Sequence, residues 1–207
     1  MSAIDTTLAL ISLAEAKTYL KESTTDSDTI ITDLVNEASA FCNKYCERHL
    51  LAKDYVEYYD GNGRDRLYLQ NFPVITLTSL YNATSDRTFD ADSLVTIADD
   101  VLLNKEDGII RLWNNESYFL VAVGNVEVIY TAGWVLASVP NALKLAVKLL
   151  VATEYKLWQE QKFGLQSESV NSRSRTWRED TVSMQAKRIL DIYKKPDFGF
   201  NDYSHKD

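Results

Sequence analysis

The sequence predicts an α+β fold: a mainly helical bundle with an inserted antiparallel β region and a C-terminal arm plus helix. Three observations predict it. Apolar residues recur at three- and four-residue steps on both sides of a central segment. That segment, residues 53–133, is rich in strand-forming residues and turns. Residues 164–179 are polar and contain Ser, Asn and Arg. Since the outer helices must bury their apolar faces, one bundle with a β insertion is the simplest arrangement.

The first predicted helix covers 13–21 and begins with a capping box. In Ser12-Leu13-Ala14-Glu15, the Ser12 hydroxyl and the Glu15 carboxylate can each accept a free N–H at the helix start. Residues 1–11 before it are predicted to be a loose arm. The sequence therefore places the start of the folded body at residue 12.

The second predicted helix covers 28–49 and carries both cysteines of the chain. Cys42 and Cys46 lie four residues apart, on the same face of the helix. A metal site would need two more ligands, and the chain has only two histidines. We therefore predict that both cysteines are small, reduced side chains of the core.

The inserted β region is predicted to begin with a hairpin over 53–70, turning at Gly61-Asn62-Gly63. Further strands are predicted at 74–81, 94–97, 101–103, 108–113 and 126–130. Gly133 ends the region. A third long helix, 140–161, starts where Pro140 suits a first helical turn. These elements define a folded body over 12–163.

The last segment, 164–207, is predicted to be an arm followed by a helix that Asp180 caps and Pro196 ends. The arm carries Arg173, Arg175, Trp177 and Arg178. Arginine and tryptophan are the residue types that most often anchor protein interfaces. The same composition can also contact nucleic acid, so the residues alone leave both partners open.

Composition and motifs argue against an enzyme, a cofactor site and a membrane protein. The chain lacks the phosphate-loop, dinucleotide-binding, nucleophile-elbow and zinc-protease motifs. His49 is interpreted as a solvated residue at a helix end. The acidic pairs Asp99-Asp100 and Glu106-Asp107 are interpreted as loop residues. No apolar stretch approaches the roughly 18 residues of a membrane helix. We therefore expect a protein made in a cytoplasm, with no catalytic, cofactor-binding or metal-binding residue.

The order of several short motifs resembles the head–tail connector (adaptor) proteins of tailed bacteriophages. The likeness covers roughly residues 12–195. It comprises a Leu-x-Glu-Ala-Lys helix start, an apolar-Pro-Val strand start, a Tyr-x-Ala-Gly segment, a Val-Pro-x-x-Leu-Lys helix start and a final Tyr-Lys. In this sequence these are Leu13–Lys17, Phe72-Pro73-Val74, Tyr130–Trp134, Val139–Lys144 and Ile192–Lys195.

The resemblance implies a structural virion protein at the head–tail junction. Members of that family form rings, dodecameric in the family, beneath the portal protein. The ring extends the DNA channel and offers a platform to the next neck or tail protein, while DNA passes through without sequence-specific binding. The C-terminal arm often contacts the portal. The candidate portal or subunit interface residues are Arg173, Arg175, Trp177, Arg178, Arg188 and Tyr193.

Three other functions remain as alternatives. The first is another neck or tail-completion protein. The second is a small DNA-binding module that uses Arg173, Arg175, Arg178, Lys187 and Arg188, although the net charge of −8 argues against it. The third is a hydrolase that uses carboxylates of the β region.

Overall fold

The computed structural model describes residues 3–84, 87–114, 117–160, 167–170, 173–176 and 184–195. The chain divides into two compact units. A helical unit is formed by Met1–Arg48 and Leu136–Lys194, and a β unit contains His49–Val135.

The helices are α1 Leu13–Leu20, α2 Asp28–Cys46, α3 Ile97–Asp100, α4 Asn141–Glu160 and α5 Met184–Tyr193. The strands are β1 Lys53–Gly61, β2 Arg66–Tyr68, β3 Val74–Asn82, β4 Val101–Asn104, β5 Ile109–Leu112, β6 Ala122–Ala132, β7 Ser167–Val170 and β8 Arg173–Thr176.

Helix α1 begins with the predicted capping box. The Glu15 N–H donates to the Ser12 hydroxyl (3.2 Å), and the Ser12 N–H donates to the Glu15 carboxylate (2.9 Å). The other Glu15 oxygen accepts from the Lys144 ammonium of α4 at 3.1 Å. Burial alone would raise the pKa of Glu15, but the Ser12 N–H and Lys144 together hold it below its ordinary value. One carboxylate therefore starts α1 and also ties it to α4.

Helices α2 and α4 pack against each other along their apolar faces. The predicted burial of both cysteines is confirmed, because Cys42 and Cys46 are fully buried in α2. Desolvation raises the pKa of the Cys42 thiol to about 12 and that of Cys46 to about 11. Both thiols are therefore neutral and poorly reactive at physiological pH. The facing residues of α4 are buried too, namely Leu143, Ala146, Val147, Leu150, Val151 and Tyr155.

The prediction of a loose arm over 1–11 is wrong for its described part. Ala9, Leu10 and Ile11 are buried. The Leu10 N–H donates to the Ser39 hydroxyl of α2 at 3.1 Å. The apolar side chains find a place on α2, so this segment belongs to the helical unit.

The β unit contains two three-stranded antiparallel sheets, in the orders β1-β6-β3 and β2-β5-β4. The predicted hairpin over 53–70 is wrong, because β1 pairs with β6 and β2 pairs with β5. Gly63, at φ +72°, turns the chain away, and its N–H donates to the Phe119 carbonyl (2.9 Å). The sequence correctly predicted a turn here, but the turn connects two different sheets and not two paired strands.

One apolar core lies between the two sheets. The 94–97 segment, predicted as a strand, leads instead into the single turn of α3. The inward side chains of both sheets and of their connections form this core: Leu67, Leu69, Val74, Leu80, Val95, Val101, Ile110, Leu112, Phe119, Val126, Val128, Tyr130 and Ala132. Alternate residues of the same strands therefore point away from it.

A polar cluster under the β1-β6-β3 sheet holds the connection from β2 to β3. Tyr130 and Tyr59 both donate their hydroxyls to the Glu57 carboxylate, the former at 2.6 Å. The Asn71 amide donates to the other Glu57 oxygen (2.9 Å), and the Gln70 N–H donates to the Tyr59 oxygen (3.0 Å). Desolvation, reinforced by the Glu57 charge, raises the pKa of both tyrosines. They therefore remain protonated donors.

The predicted α+β class is confirmed, but "mainly helical" overstates the helical share. In chain order, a complete two-sheet unit separates α2 from α4. The segment predicted as a polar loop also contains structure, because β7 and β8 form an antiparallel hairpin in which Glu168 is opposite Arg175. The serine-rich composition suggested a loop, but part of this segment forms a short antiparallel ladder.

Replacing Glu15 by Gln should lower the free energy of unfolding in a pH-dependent way. Because the folded-state pKa of Glu15 is lowered, its charge contributes stability above the unfolded-state pKa and loses it as pH falls through the folded value. Urea unfolding should show wild type more stable near about pH 7, and the difference should close below about pH 3. Glu106→Gln, in an exposed turn, is the control. An E15Q difference that stays constant with pH would contradict this role.

Replacing Tyr130 by Phe should destabilise the β unit by about 1–3 kcal/mol, because Glu57 loses a donor in a partly buried site. Tyr118→Phe removes a hydroxyl from a ring that is 52% exposed, and it should change stability little. Equal effects of the two variants in urea unfolding would show that the Glu57 cluster is not stabilising.

Candidate assembly interface

Helix α5 carries two of the candidate interface residues, and it packs on α2 and α4 of its own chain. Ala186 and Leu190 are fully buried. The Leu190 carbonyl lies 3.7 Å from the Cys46 sulfur, within the range of a weak S–H hydrogen bond. The last helix therefore completes the apolar core of the helical unit.

Polar contacts fix the end of α5 against the end of α2. The Tyr45 hydroxyl donates to the Asp191 carboxylate at 2.6 Å, and this bond raises the pKa of Tyr45. The Arg48 guanidinium donates to the Tyr193 carbonyl at 3.0 Å. Lys194 forms an ion pair with Glu47 at 3.2 Å. These contacts set the direction of α5 and so determine which of its residues face outward.

The outward side of α5 combines apolar groups with an arginine. Met184, Arg188 and Ile192 follow at four-residue steps, so they lie on one face of the helix. Met184 is 65% exposed and Ile192 is 78% exposed, and Arg188 is exposed between them. Methionine and arginine are enriched at protein interfaces. We call these three residues the α5 stripe.

The six candidate interface residues fall in different places. Arg188 lies in the α5 stripe, whereas Tyr193 is half-buried and its carbonyl serves the contact with Arg48. Arg173 and Arg175 lie on β8, opposite Val170 and Glu168 in the hairpin register. Trp177 and Arg178 lie outside the described residues.

Sequence reasoning did not predict Met184 and Ile192 as interface residues. Their spacing from Arg188 was visible, but Ile192 also fits the apolar pattern of a core face. The buried positions of Ala186 and Leu190 show which side of the helix faces the core. That assignment leaves Ile192 on the outside.

The residues that sequence reasoning examined for catalysis lie in different settings. The interpretation of Asp100 as a loop residue is wrong, because it ends α3 and is buried. His49 is exposed. Asp107 accepts from the Asn104 side chain within its own turn, at 2.8 Å. Across the described part of the chain, no group of three or more His, Cys, Asp and Glu side chains is placed to hold a metal ion. None of the helices in these described ranges is long and apolar enough to cross a bilayer.

A family model named head completion protein matches residues 9–196. This chain belongs to the head completion protein family. The match covers both units and includes every motif that suggested a connector, so the predicted relationship to head–tail connector proteins is confirmed. This head completion protein is thus a structural protein of the phage head–tail region.

Solved structures share the fold over nearly the whole chain. A chain in a structure entitled neck of the empty GTA particle, computed with C6 symmetry, is 18% identical and has a TM-score of 0.57. The alignment covers 95% of this head completion protein and 94% of that chain. A chain from the native particle's neck, computed with C12 symmetry, is 17% identical, also with a TM-score of 0.57, over 95% and 93% of the two chains. A chain from the virion of the native gene transfer agent particle is 15% identical, with the same TM-score, over 95% and 94%. The curated proteins contain no match.

Replacing Leu190 by Ala should destabilise this head completion protein by roughly 2–5 kcal/mol, because the side chain is fully buried. Ile192→Ala, on the same helix but exposed, should stay within about 0.5 kcal/mol of wild type. Thermal or urea unfolding measures both. The rate at which Cys46 reacts with a thiol reagent gives an independent readout, and it should rise in L190A alone. Equal stabilities would mean that α5 is not part of the core.

Proposed function

We propose that this head completion protein assembles into a ring of identical subunits, twelve in number, at the neck of a tailed phage. The ring lies beneath the portal, extends the DNA channel and provides the platform for the next neck or tail protein. One observation carries the proposal: the chain shares its fold, nearly end to end, with chains of a neck described with C12 and C6 symmetry. A closed ring needs no catalytic residue, and the proposed role is not enzymatic.

The charge of the chain suits a conduit for DNA. The net charge is −8, and a protein that holds DNA by its phosphates carries a basic excess instead. An acidic ring repels the phosphates, so DNA can slide through its lumen without adhering. No cofactor or sequence-specific DNA contact is part of this role.

The contact with the portal or with the neighbouring subunit is assigned to Arg173, Arg175, Trp177, Arg178, Arg188 and Tyr193. The exposed α5 stripe supports this assignment, because it places Arg188 between two exposed apolar side chains. An arginine between apolar side chains can form a desolvated contact. Such a contact contributes more binding free energy than a charge at the exposed edge of an interface.

The ring and its contact with the portal can be tested together. Purified protein should form rings in negative-stain images and co-sediment with the cognate portal. Trp177→Ala and Arg188→Ala should each weaken co-sedimentation by about tenfold or more, since anchors of this kind contribute about 2 kcal/mol. Leu145→Ala alters an exposed apolar residue on another helix, α4, and serves as the control.

Point variants are used instead of a truncation after residue 164. The truncation would also remove α5, whose Ala186 and Leu190 belong to the core of the helical unit. Three outcomes would contradict the proposal. The absence of rings in negative-stain images would exclude the proposed ring. Wild-type portal binding by both variants would exclude the assigned contact. Salt-dependent DNA binding by the isolated monomer would favour a DNA-binding module instead.

A further inference from the structure

The two sheets of the β unit present outer faces of opposite charge. Their inward residues fill one shared core, so the outward residues of β1-β6-β3 and of β2-β5-β4 point in opposite directions. Their composition becomes visible only once the strand register is known.

The outer face of the first sheet is acidic and aromatic. On β1 it presents Asp54, Val56 and Tyr58, and on β6 it presents Ile129 beside Val56 and Glu127 beside Tyr58. Val56 is 56% exposed and Tyr58 is 50% exposed. We call these five residues the acidic face.

Hydrogen bonds from uncharged hydroxyls hold the two carboxylates of the acidic face in place. The Thr131 hydroxyl donates to Asp54 at 2.6 Å. A hydrogen bond to Glu127 raises the pKa of Tyr58, so the phenol stays protonated. Phe89 packs on Tyr58 with the ring centroids 5.7 Å apart. Both carboxylates are bound by hydroxyls, which carry no charge, so these bonds do not neutralise them.

The outer face of the second sheet is basic and apolar. Arg66, Arg111 and Leu102 form one row across β2, β5 and β4, and Leu102 is 49% exposed. The next row contains Tyr68 and Ile109. We call these five residues the arginine face.

Among the described residues, one carboxylate pairs with the two arginines of the arginine face. Arg111 lies 2.7 Å from the Asp65 carboxylate, and Arg66 lies 3.9 Å from the other oxygen of the same group. Both guanidinium groups are about half exposed. Within the described part of the chain, one carboxylate thus faces two arginines, a ratio that favours an acidic partner.

We propose that the acidic face of one subunit packs against the arginine face of the next subunit around the ring. This inference rests on the proposed ring, and it names one of the surfaces that closes it. A ring of identical copies needs two different, mutually complementary surfaces on every subunit. Opposite sides of one β unit provide such a pair, with Val56 and Tyr58 facing Leu102 and Ile109 and carboxylates facing guanidinium groups. Like charges keep either face from pairing with itself.

Cysteine cross-linking tests the contact in the full chain. The native thiols are fully buried and have raised pKa values, so they add little background. A Val56→Cys/Leu102→Cys double variant should assemble and, with a short bismaleimide, should give a ladder of covalent oligomers up to the full ring. The control pair, Asp92→Cys/Glu106→Cys, uses exposed loop positions outside both faces and should give no ladder. Rings of the first variant without a ladder would overturn the contact and leave the ring standing.

Charge reversal provides a second arm that needs no cross-link. Asp54→Lys and Arg66→Glu should each raise the concentration of half-assembly by about tenfold or more. The double variant, with both faces reversed, should recover at least half of that loss. An equimolar mixture of the single variants should assemble better than either variant alone, because the unaltered faces of the two variants can pair. A mixture that assembles no better than either variant alone would overturn the proposal. Failure of the wild-type protein to form any ring would instead defeat the proposed function.

Discussion

The pairing of β1 with β6 is the contact on which the β unit depends. Lys53 is opposite Ala132 in that ladder, and just outside it the Trp134 N–H donates to the Leu50 carbonyl at 2.8 Å. The entry and the exit of the inserted unit are therefore side by side. Gly133 permits this approach, because a Cβ there would lie 2.4 Å from the Leu51 carbonyl oxygen, and its φ of +107° is strained for other residues. The Tyr-x-Ala-Gly motif thus has a steric explanation.

The helices could be predicted from sequence because their signals are local. The capping box at Ser12 and Glu15, the apolar period of α2 and the proline before α4 each lie within a few residues of the structure they specify. Burial of Cys42 and Cys46 followed from the same period. The packing of Leu10 on α2 was missed because a short apolar segment without a period does not reveal its partner.

The β unit could not be predicted to the same depth because its contacts are distant in sequence. Alternation identified β1, but its partner begins about sixty residues later, and the turn at Gly63 suggested a nearer one. For the candidate interface, sequence composition indicated Arg188 but not its exposed neighbours Met184 and Ile192. The two charged faces could not be predicted either, because their residues are also distant in sequence. Arg66, Arg111 and Leu102 become neighbours only through the register of three strands.

The adjacent ends of the β unit have a mechanical consequence. Tension applied along the chain would reach this unit through Leu50 and Trp134, at one end of the β1–β6 ladder. Such a load opens an antiparallel pair like a zipper, breaking one hydrogen bond at a time, instead of shearing all of them together. The unit therefore offers little resistance to being peeled open from its base.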